Sequence, residues 1–165
     1  MKWTNWQRVE GFEFDHIIYE RKRHTELEGE VARIAFNRPE KLNAFSAHTM
    51  REVNKAFTEA ADDVNVGVII ITGTNGNFSS GGDVEWEATG EEFSQILGAS
   101  EESETPDELI INDVVRKCPK PVIAQVEGYC IGGANHLAYT CDFTITADTG
   151  IFGHNGARVG SPNHS

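Results

Sequence analysis

Basic residues are scarce in this chain. Its 165 residues include 14 Lys and Arg against 26 Asp and Glu, a formal net charge of −12. Such a surplus repels phosphate backbones, which argues against a nucleic-acid partner, and an anionic ligand would need local cations or helix N-termini to hold it. Long apolar runs are missing too. Nothing approaches the roughly 18 consecutive apolar residues of a membrane span, and residues 1–8 lack the apolar stretch of a secretory signal. A cytoplasmic protein with no membrane partner is expected.

Cysteine is sparse, and its spacing excludes more. Cys118, Cys130 and Cys141 form no C-x-x-C pair, so neither a disulfide framework nor a zinc site is indicated, and they read as small buried apolar residues. His136, His154 and His164 have no metal-ligand spacing, and no metal is expected. No G-x-G-x-x-G follows a strand-like run, which argues against a dinucleotide oxidoreductase. Ser79, Ser80 and Ser161 all fall outside a G-x-S-x-G elbow, which argues against a serine hydrolase.

What is present is an ordinary globular composition, 39% apolar and 24% charged, in a length that suits one domain over 1–165. Residues 14–19 and 31–37 read as strands, the second by clear alternation, with a charged turn over 22–30. A loop follows Pro39 and closes at Ser46, a good helix N-cap. Met50, Val53, Phe57 and Ala60 recur at helical spacing and predict a helix over 47–62. The β-branched run 66–72 suits a strand buried on both faces of a parallel sheet. Residues 91–108 carry seven carboxylates and no basic residue, the pattern of a solvated excursion. A helix over 106–117, stopped by Pro119 and Pro121, precedes a strand over 122–126. A turn over 128–133, a helix over 134–140 and a strand over 143–147 complete an α/β alternation.

Two glycine pairs, Gly81-Gly82 and Gly132-Gly133, each come after a strand-like run and before a helix or loop. Glycine lets a ligand approach the backbone closely, and N–H groups at a helix N-terminus favour an anion or a developing oxyanion. Each pair alone is read equally well as a tight turn.

The order of the motifs carries more. Asn37-Arg38-Pro39-Glu40-Lys41-Leu42-Asn43-Ala44 comes first, then Phe78-Ser79-Ser80-Gly81-Gly82-Asp83. Lys120-Pro121-Val122-Ile123-Ala124, Gly128-Tyr129-Cys130-Ile131-Gly132-Gly133-Ala134 and Cys141-Asp142 come later. In this series, over about residues 17–160, the chain resembles the crotonase (enoyl-CoA hydratase/isomerase) superfamily. The resemblance implies a spiral of ββα turns, here lacking the C-terminal helical part, and an enzyme that stabilises the enolate of an acyl-CoA thioester. It implies an oxyanion hole from the backbone N–H groups of Gly82 and Gly133. It also implies a CoA-lining loop of Lys41, Leu42, Asn43 and Ala44, with Lys41 and Arg38 neutralising phosphate. Further substrate contacts are implied at Ser80, Asp83, Tyr129 and Gly132 in the two glycine motifs. No cofactor is implied beyond CoA as part of the substrate. Family members generally continue well past this length, with helices that complete the pocket and a trimer interface. A truncated product is therefore expected, and a homotrimer or hexamer at full length.

Hydratases of that family use two glutamates. Aligned on the glycine motif the first falls on His136, and aligned on Phe152-Gly153 the second falls on Gly156, so ordinary water addition is not expected. His136 is a candidate base through its imidazole, with a hydrogen-bonded core histidine as the competing reading. His154 reads equally as pocket-lining or structural. Loss of both glutamates, with Val159-Gly160-Ser161 beyond them, is similar to the dihydroxynaphthoyl-CoA synthases and ring-opening ketoacyl-CoA hydrolases. Those enzymes make or break a carbon–carbon bond beside the thioester. The likeness implies a catalytic role for Ser161 and room at Gly156 for a bicarbonate base. That subgroup usually has an aspartate where this chain has Asn163, which can hydrogen-bond a substrate but cannot serve as a carboxylate base. Carbon–carbon bond formation or cleavage on a cyclic or aryl acyl-CoA is the resulting expectation. An atypical hydratase/isomerase and a non-catalytic acyl-CoA-binding module are the alternatives.

Overall fold

The computed structural model describes residues 2–85 and 111–154. Alternating and β-branched runs build one six-stranded sheet. It contains β1 (Gln7–Arg8), β2 (Ile17–Arg23), β3 (Glu30–Phe36), β4 (Val66–Gly73), β5 (Val122–Val126) and β7 (Phe143–Thr146), in the order β1-β2-β3-β4-β5-β7. β1, β2 and β3 pair antiparallel, and every later pair is parallel. A short charged turn suffices to bring β2 back as β3, whereas a parallel neighbour needs a crossover. α1 (Ala47–Asp62) spans from β3 to β4, α2 (Ile111–Arg116) precedes β5, and α3 (Gly133–Thr140) spans from β5 to β7.

Short β segments form a second row beside that sheet. β6 (Tyr129–Ile131) pairs in parallel with β8 (Ile151–Gly153), Ser79 bridges Cys130, and Phe45 bridges Gly82. One turn of the chain thus supplies a long strand, a short one and a helix: β3, Phe45 and α1, and later β5, β6 and α3. This is the ββα spiral expected from the motifs. α2 packs between α1 and α3. Beneath the helices, Val53, Phe57 and Ala60 of α1 and Leu137 of α3 are buried with Ile34, Ile69, Ile71 and Val122 of the strands. Full burial of such a side chain contributes about 1.5–3 kcal/mol.

The structure corrects several local readings. β2 begins at Ile17 and runs to Arg23, so part of the expected charged turn is strand. Two of its charged residues have ion-pair partners elsewhere in the chain, Glu20 in Arg33 and Arg21 in Glu59 and Asp63, on α1 and at its end. The stretch expected to be a turn over 128–133 contains β6. Ser79 donates to the Tyr129 carbonyl at 2.8 Å and Ile131 donates to the Ser79 carbonyl at 3.1 Å, bonds that no local pattern announces. β1 and β8, two and three residues long, went unexpected for the same reason. The excursion over 91–108 and the start of the helix expected over 106–117 lie outside the described residues, as do Gly156, Ser161 and Asn163.

Candidate active site

The second row of β segments brings the two glycine turns together. Phe45 runs extended beside Gly82, donating its N–H to the Gly81 carbonyl at 2.7 Å and accepting the Asp83 N–H at 2.8 Å. A residue flanked in this way in a parallel bridge turns its own N–H away from its neighbour. The Gly82 N–H is therefore aimed off the Phe45 backbone. In the other turn Gly132 caps α3 with a positive φ of 58°, and its N–H is spent on the Gly153 carbonyl at 2.9 Å. Gly133 comes next as the first helical residue, where an N–H has no partner within the helix and lies at the positive end of the dipole. Among the described residues, neither the Gly82 nor the Gly133 N–H donates to a protein acceptor.

Gly81 fixes how close the turns come. Its φ is +93°, and a Cβ there would lie 2.6 Å from the Ile131 carbonyl oxygen and 3.3 Å from the Gly133 nitrogen. Gly133 is exposed and Gly82 half-buried, so both donors are reachable from outside. Two such N–H groups can share one oxygen on which negative charge develops.

The loop between β3 and α1 frames this place. Leu42 and Asn43 adopt left-handed conformations, φ 50° and 58°, and Leu42 is exposed. The Asn43 side chain is buried: its Oδ1 accepts the Arg38 N–H at 2.9 Å, and its Nδ2 donates to the carbonyls of Thr74 and Asn77 at 3.0 and 2.8 Å. Ala44 is buried, Ser80 donates its N–H to the Leu42 carbonyl at 3.0 Å, and Tyr129 is partly exposed on β6. Arg38 donates to the Ala44 carbonyl at 2.7 Å and pairs with buried Asp83 at 3.0 Å. Burial pushes the Asp83 carboxyl up, but the Arg38 hydrogen bond and the Lys41 charge outweigh it, leaving it below the usual carboxylate range. Arg38 is thus directed inward, at a carboxylate. Lys41 is the more available cation, 3.8 Å from Asp83 and paired with exposed Glu85, whose hydrogen bond raises its ammonium pKa above the ordinary value.

At the other side of the glycine turns, His136 is buried in the first turns of α3 and His154 is exposed just after β8. Their Nε2 atoms lie 2.6 Å apart, with ring centroids 4.6 Å apart. Sequence spacing brought both residues forward without showing that they touch. It brought Gly81 forward only as half of a glycine pair and missed Phe45 and Gly153, whose backbone groups help to position the donors; a strand-to-strand pairing signal would have been needed to find them. Cys130 and Cys141 are buried as expected and Cys118 is half-buried; desolvation pushes the Cys130 and Cys141 thiols up to about 12, which leaves them un-ionised and inert.

One further cluster was missed by spacing. Asp15, His48 and Glu52 each bring a ligand-type atom within 4.8 Å of the others. Both Glu52 oxygens, however, already accept backbone N–H groups, from Asp15 and His16, each at 2.8 Å. This carboxylate fastens the segment before β2 onto α1. Among the described residues no helix is long and apolar enough to cross a membrane.

Comparison with known proteins gives the family and the fold. The family model for enoyl-CoA hydratase/isomerase matches residues 26–164. An enoyl-CoA hydratase/isomerase from Xanthobacter autotrophicus Py2 is similar at 34% identity and a TM-score of 0.69, over 90% of this chain and 52% of that one. An enoyl-CoA hydratase/carnithine racemase from Magnetospirillum magneticum is similar at 27% identity and a TM-score of 0.74, over 93% of this chain and 54% of that one. A crotonase-type structure from Legionella pneumophila matches at 27% identity and a TM-score of 0.70, over 90% and 54%. The chain spans about half the length of these solved structures.

Proposed function

Given that this chain belongs to the enoyl-CoA hydratase/isomerase family, we propose that it binds an acyl-CoA thioester and stabilises the thioester enolate on the N–H groups of Gly82 and Gly133. The observation that carries this reading is the adjacency of two outward N–H groups without acceptors among the described residues, in turns that only glycine at position 81 lets approach so closely. When a proton leaves the carbon beside a thioester, negative charge gathers on the thioester oxygen. Donors already in place there need no reorganisation, and losing one typically costs about 2.7–4 kcal/mol of transition-state stabilisation. This reading assigns Lys41 and the exposed Leu42 of the loop to the CoA moiety.

The reaction within the family is carbon–carbon bond formation or cleavage on a cyclic or aryl acyl-CoA. Its support is chemical. The position of the family's first glutamate holds His136, so the usual two-carboxylate grip on water is absent there, while the proposed enolate donors are retained. Ser161, Gly156 with a bicarbonate, and Asn163 are the further groups this reading assigns, and a trimer or hexamer is its expected assembly.

Acetoacetyl-CoA tests the enolate step because its enolate absorbs distinctly from its keto form. Binding to the purified chain is expected to raise the enolate band. Gly133→Pro removes one donor at a helix position that tolerates proline, and should bind the ester while losing about 10²–10³-fold in enolisation. An equal enolate band in a folded Gly133→Pro protein would sink the donor assignment. Incubation with 2-oxocyclohexanecarbonyl-CoA and, separately, crotonyl-CoA then distinguishes ring opening from hydration, and binding without turnover of either identifies a binding module.

A further inference from the structure

We infer that His136 and His154 act as one proton-carrying pair, so that the site removes and returns a proton beside the thioester without holding a water between acid and base. The inference rests on the enolate reading above and names the group that takes the proton. At 2.6 Å one Nε2 must donate and the other accept, so the two rings hold one proton between them at that contact. The contact is built into the backbone. His136 stands three residues after Gly133 on α3, a spacing that puts both on one helix face. The strand leading to His154 is fastened to the cap of that same helix by the Gly132 N–H on the Gly153 carbonyl at 2.9 Å. Burial differs across the pair, with His136 inside and His154 exposed, which gives it a direction from site to solvent.

The same distance limits the chemistry. Two groups that grip one water stand roughly 5–6 Å apart, twice a hydrogen-bond length. The histidines are far closer. The pair is therefore suited to shuttling a proton and not to delivering water. In the step, the α-carbon gives up its proton to the His136 imidazole, and the C–H electron pair becomes the enolate held by Gly82 and Gly133. The proton on the Nε2 contact shifts to His154, and His154 in turn passes one proton on to solvent. The reverse sequence returns a solvent proton to carbon, so no oxidant, reductant or water is consumed. The ligand class is an acyl-CoA whose α-hydrogen is acidified by a second carbonyl or an aromatic ring.

Phenylacetyl-CoA in D2O is the probe, because α-exchange is its one accessible outcome. The purified chain is expected to deuterate its α-carbon, and His136→Gln to slow this by about 10²–10⁴-fold. His154→Gln keeps a hydrogen bond to His136 but cannot relay a proton. It should slow exchange to a similar degree, with the dissociation constant for phenylacetyl-CoA unchanged. In the unaltered protein, 15N NMR should show coupling between the two Nε2 nuclei across the shared proton. Exchange at full rate in His154→Gln, or absence of the coupling, overturns the pair while leaving the enolate reading standing. Enolisation of acetoacetyl-CoA without any exchange of phenylacetyl-CoA also overturns the pair alone. Failure of both probes on the unaltered protein overturns the enolate reading and the pair together.

Discussion

Gly81 and Gly133 look alike in the sequence and do different work. Gly81 needs its missing side chain: at φ +93° an L residue is strained, and the new carbon would stand 2.6 Å from the Ile131 carbonyl oxygen. Gly133 has helical geometry, and a Cβ there meets only the Phe45 ring at 4.0 Å. Gly81→Ala is therefore expected to destabilise by roughly 1–3 kcal/mol, whereas Gly133→Ala should be neutral or stabilise by up to about 1 kcal/mol as a helical residue. Urea unfolding of the two variants decides it, and equal losses would show that the turns do not press together as described. Asn43 makes a second residue-level case. Its pattern position marks it as part of a ligand-facing loop, but its amide is spent on the Thr74 and Asn77 carbonyls. Asn43→Asp turns two donated bonds into carboxylate–carbonyl repulsion, with an expected cost of about 1–3 kcal/mol for each carbonyl left unsatisfied. A Tm indistinguishable from the parent would contradict the buried role. Neither distinction was legible in the chain, because both depend on what comes near the residue and not on its neighbours in sequence.

Elements were legible where their cause is local. α1 runs Ala47–Asp62 as its apolar spacing predicts, and Ser46 caps it in a box with Thr49. That cap reaches further than sequence shows, since the His16 Nδ1 lies 2.9 Å from Thr49 Oγ1 and 3.2 Å from Ser46 Oγ. Ser46→Ala is expected to cost about 1 kcal/mol, as cap removals do. Glu52→Gln should cost more, because its new amide group would face the N–H of Asp15 or His16 where an oxygen now accepts. Thermal unfolding of both variants would show the order, and a smaller loss for Glu52→Gln would mean that the cap, and not the carboxylate, holds the N-terminal segment. β6 and β8 were illegible by contrast. Three residues in each carry no readable alternation, and only their pairing with one another and with Ser79 makes them strands.

At the scale of the molecule, alternating helices and strands made the parallel crossovers readable, but not the second row on which the site is built. Nor did the sequence show how the spiral is tied across its first turn. Arg21 on β2 reaches Glu59 and Asp63 at the end of α1, Glu30 at the start of β3, and the Tyr19 hydroxyl at 2.9 Å. Asp63 accepts the Asn65 N–H at 2.9 Å, and this bond, with that from Arg21, holds its carboxyl at about 2, below its ordinary value. A carboxylate depressed by folding contributes stability that is complete above its unfolded pKa, near 3.9, and is lost as pH falls through the folded value. The Asp63 contribution should therefore be whole above about pH 5 and fade between about pH 4 and 2. Over the same interval the chain lies below its isoelectric point, near 4.8, and gains positive self-repulsion as its exposed carboxylates protonate, a parallel loss that would mask one group in a simple acid titration. The difference between the parent and Asp63→Asn removes that common background. Its unfolding free-energy gap, from urea titrations at successive pH values, is expected to be largest near pH 6 and to shrink towards zero near pH 2. A gap that stays constant across that range would show that Asp63 is not held in its charged form by the fold.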